Sequence, residues 1–81
     1  PNKSPMFDKD WFKNGFMQQA VDLFVDWAKN NSPLDMKIKV LELPNRTPLI
    51  FIDVPGSKSE TVLFYGHLDK QPEMTGWFEG F

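Results

Sequence analysis

The chain has 81 residues, with nine basic and eleven acidic side chains and a net charge of −2. That length allows one small domain with a marginal core, and charges spread along the chain give no basic patch of the kind that binds nucleic acid. No apolar run approaches the length of a membrane span and no signal-peptide pattern opens the chain, so neither a nucleic-acid nor a membrane partner is expected.

The amino-terminal third of the chain predicts a lead-in followed by an amphipathic helix. Residues 1–9 contain two prolines and carry no visible chemistry. Asp10 is a candidate helix cap before a start near Trp11, with a break or kink at Asn14-Gly15. Apolar residues then recur at three- and four-residue intervals, as a helix requires: Phe12, Phe16, Ala20, Leu23, Phe24 and Trp27. The helix is expected to end at residues 30–33, because Pro33 cannot continue it.

Two strands are predicted next. Met36 to Leu43 alternates between apolar and polar residues, which is typical of a half-exposed strand near a sheet edge. Residues 44–48 contain two prolines and form a turn, and Leu49 to Val54 is a second strand. The short connection favours antiparallel pairing of the two.

A third strand is predicted at residues 62–65, and the candidate site residues follow it directly. It contains Val, Leu, Phe and Tyr with no polar residue between them, which is typical of a strand buried on both faces. Gly66 then permits a close backbone approach or an unusual dihedral. His67 and Asp69 follow two positions apart, so in an extended chain they face the same side. A neutral imidazole is a common zinc ligand, and a neighbouring carboxylate can orient it.

The spacing of this pair also allows an ordinary structural role. A lone histidine in a small domain is often a surface or hydrogen-bonded residue, and a zinc site requires three or four protein ligands. The chain has one histidine and no cysteine. Its other carboxylates near this region have no spacing that distinguishes them: Asp53, Glu60, Glu73 and Glu79.

A longer motif surrounds the pair and resembles a known family. The apolar strand and Gly-His-Leu-Asp are followed by Gln71-Pro72-Glu73 and then Gly76-Trp77. In this order they are similar to the signature of the zinc metallopeptidases that include glutamate carboxypeptidase, aminoacylase, succinyl-diaminopimelate desuccinylase and the carnosine-type dipeptidases. The match is specific over residues 61–77 and is closest to the dipeptidase branch. The preceding helix and strands agree in layout.

The resemblance implies a role for each member of the pair. His67 would bind one zinc of a two-zinc site, and Asp69 would support that histidine and the catalytic site. In the family the bridging carboxylate, the general-base glutamate and the other ligands lie further along the chain than Phe81. Residues 1–81 are therefore expected to be the amino-terminal portion of a metallopeptidase catalytic domain, inactive alone and binding zinc weakly or not at all.

Together these observations predict an α/β fold, with an amino-terminal amphipathic helix followed by three strands of a mixed sheet. The parent protein is expected to be a zinc-dependent hydrolase of peptide or amide bonds in small substrates, such as dipeptides or N-acyl amino acids. The lack of cysteine fits a reducing, cytoplasmic compartment. Trp77 and Phe78 are expected either to cover the end of the sheet or to shape the mouth of the active site.

Two alternatives remain open. Eight Phe, three Trp and one Tyr are more aromatic side chains than a domain of this size readily buries. An exposed sheet edge and spare aromatic surface could therefore make the chain a structural module that associates with its own copies. A complete, zinc-free binding domain is the other alternative.

Overall fold

A computed structural model describes residues 1–33 and 35–76 of the chain. Within these residues the element order is one helix, α1 (Phe16–Asn31), followed by two strands, β1 (Lys37–Leu41) and β2 (Leu49–Asp53). The expectation for Trp77 and Phe78 lies outside the described residues.

Helix α1 begins later than the sequence pattern predicts. Gly15 precedes it with a φ of 77°, in the left-handed region, so the helix cannot extend back through this position. Residues 8–14 instead form turns, in which the backbone N–H of Asn14 donates to the backbone carbonyl of Asp10 at 3.0 Å. Asn14 also accepts a hydrogen bond from the Phe16 backbone N–H at 3.2 Å, which satisfies one of the unpaired donors at the start of the helix.

The buried side of α1 differs from the predicted stripe. Met17, Val21 and Ala28 are the buried apolar residues of the helix, and their spacing places them on one side. Of the predicted stripe, Leu23 and Trp27 are 74% and 64% exposed. The helix therefore has two apolar stripes, and within the described part of the molecule one of them is largely open to solvent.

The carboxyl end of α1 agrees with the prediction. The helix ends at Asn31, and Ser32 has an extended backbone with ψ of 161°. The Ser32 hydroxyl donates to the Ala28 backbone carbonyl. The side-chain amide of Asn31 donates to the Trp27 backbone carbonyl at 2.8 Å. These side chains satisfy carbonyls that the last turn of a helix leaves without backbone partners.

Strands β1 and β2 form an antiparallel hairpin, as the short connection predicts. The register pairs Ile38 with Ile52 and Val40 with Ile50, so one face of the sheet is made of β-branched side chains. The turn has a hydrogen bond from the Arg46 amide to the Leu43 carbonyl at 3.2 Å, and Asn45 has a φ of 61°. Proline followed by a left-handed residue is the arrangement of a type II turn, which the Pro44-Asn45 sequence suits.

The prediction of three strands in a mixed sheet is wrong. The sheet has two antiparallel strands, and residues 62–65 form no strand in the described part of the chain. Their side chains are 75–90% exposed. An apolar run indicates a strand that is buried on both faces, but a strand forms only beside a partner, and the described residues provide none there.

The expectation for Gly66 is also wrong. Its φ is not in the left-handed region, and a Cβ added to it would meet no heavy atom within 4 Å. Neither an unusual dihedral nor a close approach requires a glycine at this position of the structure.

No helix in residues 1–33 and 35–76 is both long enough and apolar enough to cross a lipid bilayer.

Candidate functional site

His67 and Asp69 lie in a loop directly after the exposed apolar run. The imidazole Nδ1 is 2.9 Å from Asp69 Oδ1 and 3.1 Å from the Asp69 backbone oxygen. The structure thus brings together the two residues that the i, i+2 spacing selects, although the segment before them is not part of a sheet.

The two contacts fix the tautomer of His67. A carbonyl oxygen and an ionised carboxylate only accept hydrogen bonds. Nδ1 must therefore carry the proton, and Nε2 has the free lone pair of the neutral ring. No hydrogen bond from the described residues engages Nε2. The nitrogen that can bind a metal is consequently the one directed away from Asp69.

Exposure differs between the two members of the pair. The His67 side chain is 71% exposed, whereas the Asp69 side chain is 33% exposed. The carboxylate is therefore the more enclosed group and the imidazole is accessible from solvent.

The lead-in at the amino terminus contacts the backbone around Asp69. Asn2 is 6% exposed, and it is the buried polar residue of the described chain. Its amide Nδ2 donates to the Leu68 carbonyl at 2.7 Å. The backbone carbonyl of Asn2 accepts a hydrogen bond from the Lys70 backbone N–H at 3.1 Å. The Ser4 backbone N–H donates to the Lys70 backbone carbonyl at 2.9 Å. Lys3 and Lys70 thereby form an isolated parallel bridge.

An ion pair extends this contact by three residues. Lys3 Nζ is 3.5 Å from Glu73 Oε2, with Lys3 partly enclosed and Glu73 largely exposed. The backbone amide of Glu73 itself, and then the ammonium group of Lys3, hold the pKa of the Glu73 carboxyl below its usual value. Both stabilise the charged form of the carboxylate.

Sequence reasoning missed the part played by residues 2–4. Asn2 and Leu68 are 66 positions apart, and no periodic pattern connects such distant residues. The only local signal is a polar residue in a segment that the sequence predicts to be a lead-in. A buried asparagine has to satisfy its amide, but its burial is visible only in the folded chain.

The described residues do not complete a metal site. No group of three or more His, Asp or Glu side chains in residues 1–33 and 35–76 is placed to hold one ion. His67 fits zinc as a single nitrogen ligand with an orienting carboxylate, whereas zinc sites take three or four protein ligands. Glu79, one of the carboxylates near the motif, lies outside the described residues.

A shallow hollow of about 240 Å³ lies elsewhere, between the end of α1 and β1. It is lined by Lys29, Ser32, Pro33, Met36 and Ile38. None of these residues belongs to the His67–Asp69 pair, and none is a carboxylate or an imidazole. The hollow adds nothing to the chemistry of the pair.

No protein-family model matches this chain, and no curated protein matches it either.

Proposed function

We propose that the chain is the amino-terminal part of a zinc-dependent peptidase or amidohydrolase, in which His67 is a zinc ligand and Asp69 orients it. The observation that carries the proposal is the 2.9 Å contact between His67 Nδ1 and Asp69 Oδ1. It is supported by the resemblance of residues 61–77 to the metallopeptidase signature. The substrates proposed are small peptides or N-acyl amino acids, and the proposed location is the cytoplasm.

The contact supports a ligand role because of what it does to the imidazole. A carboxylate that accepts the Nδ1 proton keeps the lone pair on Nε2 and limits the rotation of the ring. Here the ring is 71% exposed, so a ligand can approach Nε2 without any rearrangement of the described residues.

Zinc in such a site would polarise the substrate carbonyl and lower the pKa of a bound water to about 7. Of the described residues, His67 would hold the ion and Asp69 would orient the His67 imidazole. The bridging carboxylate, the remaining ligands and the general base would come from outside this chain. We therefore propose that the 81 residues alone have no hydrolase activity.

The test is a zinc titration of the 81-residue chain followed by two-dimensional NMR, with His67→Ala and Asp22→Ala as matched variants. Asp22 is an exposed carboxylate on α1, distant in sequence from the pair. We expect weak zinc uptake whose chemical-shift changes are centred on residues 66–70. These changes should disappear in His67→Ala and persist in Asp22→Ala. Dipeptides and N-acetyl amino acids should not be hydrolysed.

Four results would contradict parts of this proposal. If millimolar zinc causes no change at residues 66–70, or if the changes survive His67→Ala, His67 is not a zinc ligand. Tight uptake that depends on His67 would mean that the chain completes a site alone or with a second copy. Hydrolysis by the chain would likewise overturn the expectation that its active site is incomplete.

A second candidate function, association between copies of the chain, is favoured by one observation. The side chains of residues 62–65 are 75–90% exposed although all four are apolar or aromatic. An apolar segment of this kind marks an interaction surface in many proteins. The two candidates are distinguished by whether the chain is a monomer in solution.

A further inference from the structure

We propose that Asn2 is a positioning residue for the His67–Asp69 pair, holding the backbone on both sides of Asp69 so that its acceptors face His67 Nδ1. This role concerns the geometry of the pair, and its consequence for zinc rests on the function proposed above. Asn2 does not touch the imidazole in any contact of the described chain, so it acts through Asp69.

Two peptide groups flank the Cα of Asp69, and Asn2 is hydrogen-bonded to both. The peptide group before it includes the Leu68 carbonyl, which accepts from Asn2 Nδ2 at 2.7 Å. The peptide group after it includes the Lys70 N–H, which donates to the backbone carbonyl of Asn2 at 3.1 Å. Each peptide group is planar, so a hydrogen bond to one end of it also orients the other end. Asn2 therefore holds both planes whose orientation defines the backbone conformation of Asp69.

The consequence reaches His67 through the second of these planes. The Asp69 carbonyl belongs to the same peptide group as the Lys70 N–H. That carbonyl is 3.1 Å from His67 Nδ1. The Asn2 backbone carbonyl, which side-chain variants of Asn2 retain, thus fixes the direction of a carbonyl that accepts the imidazole proton. The Asn2 side chain acts on the first plane, through the Leu68 carbonyl, and so on the backbone conformation of Asp69. The direction in which the Asp69 side chain leaves the backbone is set by the same conformation.

Burial supports a positioning role over an incidental contact. Asn2 is 6% exposed, while His67 lies on the surface. A buried amide that loses its partner carries a cost of about 1–3 kcal/mol, so this hydrogen bond is kept. The neighbouring Ser4–Lys70 hydrogen bond and the Lys3–Glu73 ion pair hold the same two segments together. None of these contacts involves the imidazole, which remains accessible.

The experiment measures the tautomer of His67 directly. The ¹⁵N shifts of Nδ1 and Nε2 are recorded at a pH where the ring is neutral, in the full chain and in Asn2→Ala and Asn2→Asp. Asn2→Asp keeps the shape of the side chain but replaces its N–H donor with an acceptor that faces the Leu68 carbonyl. Asn14→Ala is the matched control, because Asn14 makes a 2.7 Å side-chain hydrogen bond to Asp8 and none to residues 67–70. Circular dichroism reports whether α1 persists in each variant.

We expect both Asn2 variants to shift His67 from the Nδ1–H form toward a mixture of tautomers, and Asn14→Ala to leave it unchanged. We also expect zinc affinity to fall about tenfold, the lower end of the effect of losing an outer partner of a metal-binding histidine. An unchanged tautomer in both Asn2 variants would overturn the inference, as would an equal change in Asn14→Ala. If the tautomer shifts but the chain with Asn2 intact shows no zinc response at His67, the positioning role stands and the zinc function fails.

Discussion

The assignment of one proton decides what His67 can do. Both atoms that face Nδ1 are oxygens that only accept, and this leaves Nε2 as the free nitrogen. With the opposite tautomer, the free lone pair would face Asp69 and no metal could reach it. A carboxylate two positions from a histidine therefore sets which ring nitrogen is free to accept a proton, a hydrogen bond or a metal ion.

Glu73 gives a prediction at the residue scale that follows from its lowered pKa. Its own backbone amide is the larger cause and the Lys3 ammonium is the second, so Lys3→Met should raise the pKa of the Glu73 carboxyl only part of the way back to its usual value. The measurement is an NMR titration of the Glu73 side-chain carbon. Lys58→Met, in the loop after β2, is the control and should leave the midpoint unchanged. Full recovery of the usual value in Lys3→Met would show that the backbone contact is absent.

The sign of the linked stability follows from the same shift. A carboxyl with a lower pKa in the folded chain than in the unfolded chain stabilises the fold above the unfolded value. That contribution is lost as the pH falls through the folded value. The contact between residues 3 and 73 should therefore weaken as the pH falls below the usual range of a glutamate carboxyl. Because Glu73 is exposed and screened by solvent, the effect should appear in the local amide shifts more than in global unfolding.

The candidate site was predictable from the sequence only in its local part. The i, i+2 spacing of His67 and Asp69 predicts that they lie together, and their contact at 2.9 Å agrees with that expectation. The support from Asn2 was not predictable, since it depends on a hydrogen bond between residues 66 positions apart. The ligand and supporting roles of the pair remain predictions.

At the scale of elements, local chemistry determined where each element ends. The prolines and asparagines after α1 and between the strands predicted the end of the helix and the antiparallel hairpin. The start of α1 was less predictable. Two signals competed there, Asp10 as a cap and Gly15 as a break, and the left-handed conformation of Gly15 prevailed.

Gly15 gives a prediction at this scale. A Cβ at Gly15 would meet no heavy atom within 4 Å, but its φ of 77° is strained for an L-residue. We expect Gly15→Ala to lower the free energy of unfolding by about 1–2 kcal/mol, the cost of the left-handed conformation for a residue with a Cβ. The measurement is urea unfolding followed by the circular dichroism of α1.

Gly56→Ala is the matched control for Gly15→Ala. A Cβ at Gly56 would also lie in open space, and the φ of this glycine is outside the left-handed region. Replacing it should be neutral or stabilising by about 0.4–1 kcal/mol, because alanine restricts the unfolded chain. If both variants raise the urea midpoint equally, the left-handed conformation of Gly15 does not define the start of the helix.

The strand prediction failed at residues 62–65 because it depended on how distant segments of the chain pack, which the local sequence does not show. An apolar run reports that a segment avoids water, but it does not report where the covering partner lies. The two strands that were correctly predicted are joined by a short turn and pair with each other. Within the described chain no strand pairs with residues 62–65, so their apolar pattern predicts a burial that no partner there provides.

At the scale of the whole molecule, the chain is more open than a compact domain. Its radius of gyration is 16.2 Å, against about 12 Å for a compact chain of this length. Its accessible surface is 7710 Å², against about 5000 Å² for a folded monomer of this mass. Three apolar side chains form the buried core of the described residues, namely Met17, Val21 and Ala28. The helix and hairpin thus leave much apolar surface that a larger assembly could cover.

Residues 62–65 offer the sharpest test of whether copies of this chain cover one another. Each large apolar side chain gains about 1.5–3 kcal/mol on full burial, so replacing one at an interface should weaken association at least tenfold. Phe64 is 89% exposed and Phe12 is 80% exposed, which makes them a matched pair of sites. If the second candidate function is right, sedimentation equilibrium should detect dimers of the unaltered chain at about 100 μM. The dimer population should fall in Phe64→Lys and stay unchanged in Phe12→Lys.

A monomer at every concentration would exclude self-association, and an equal loss in both variants would show that contact between copies is unspecific. A monomeric chain whose apolar segment stays exposed would instead agree with the proposal that the chain is the amino-terminal part of a larger peptidase or amidohydrolase.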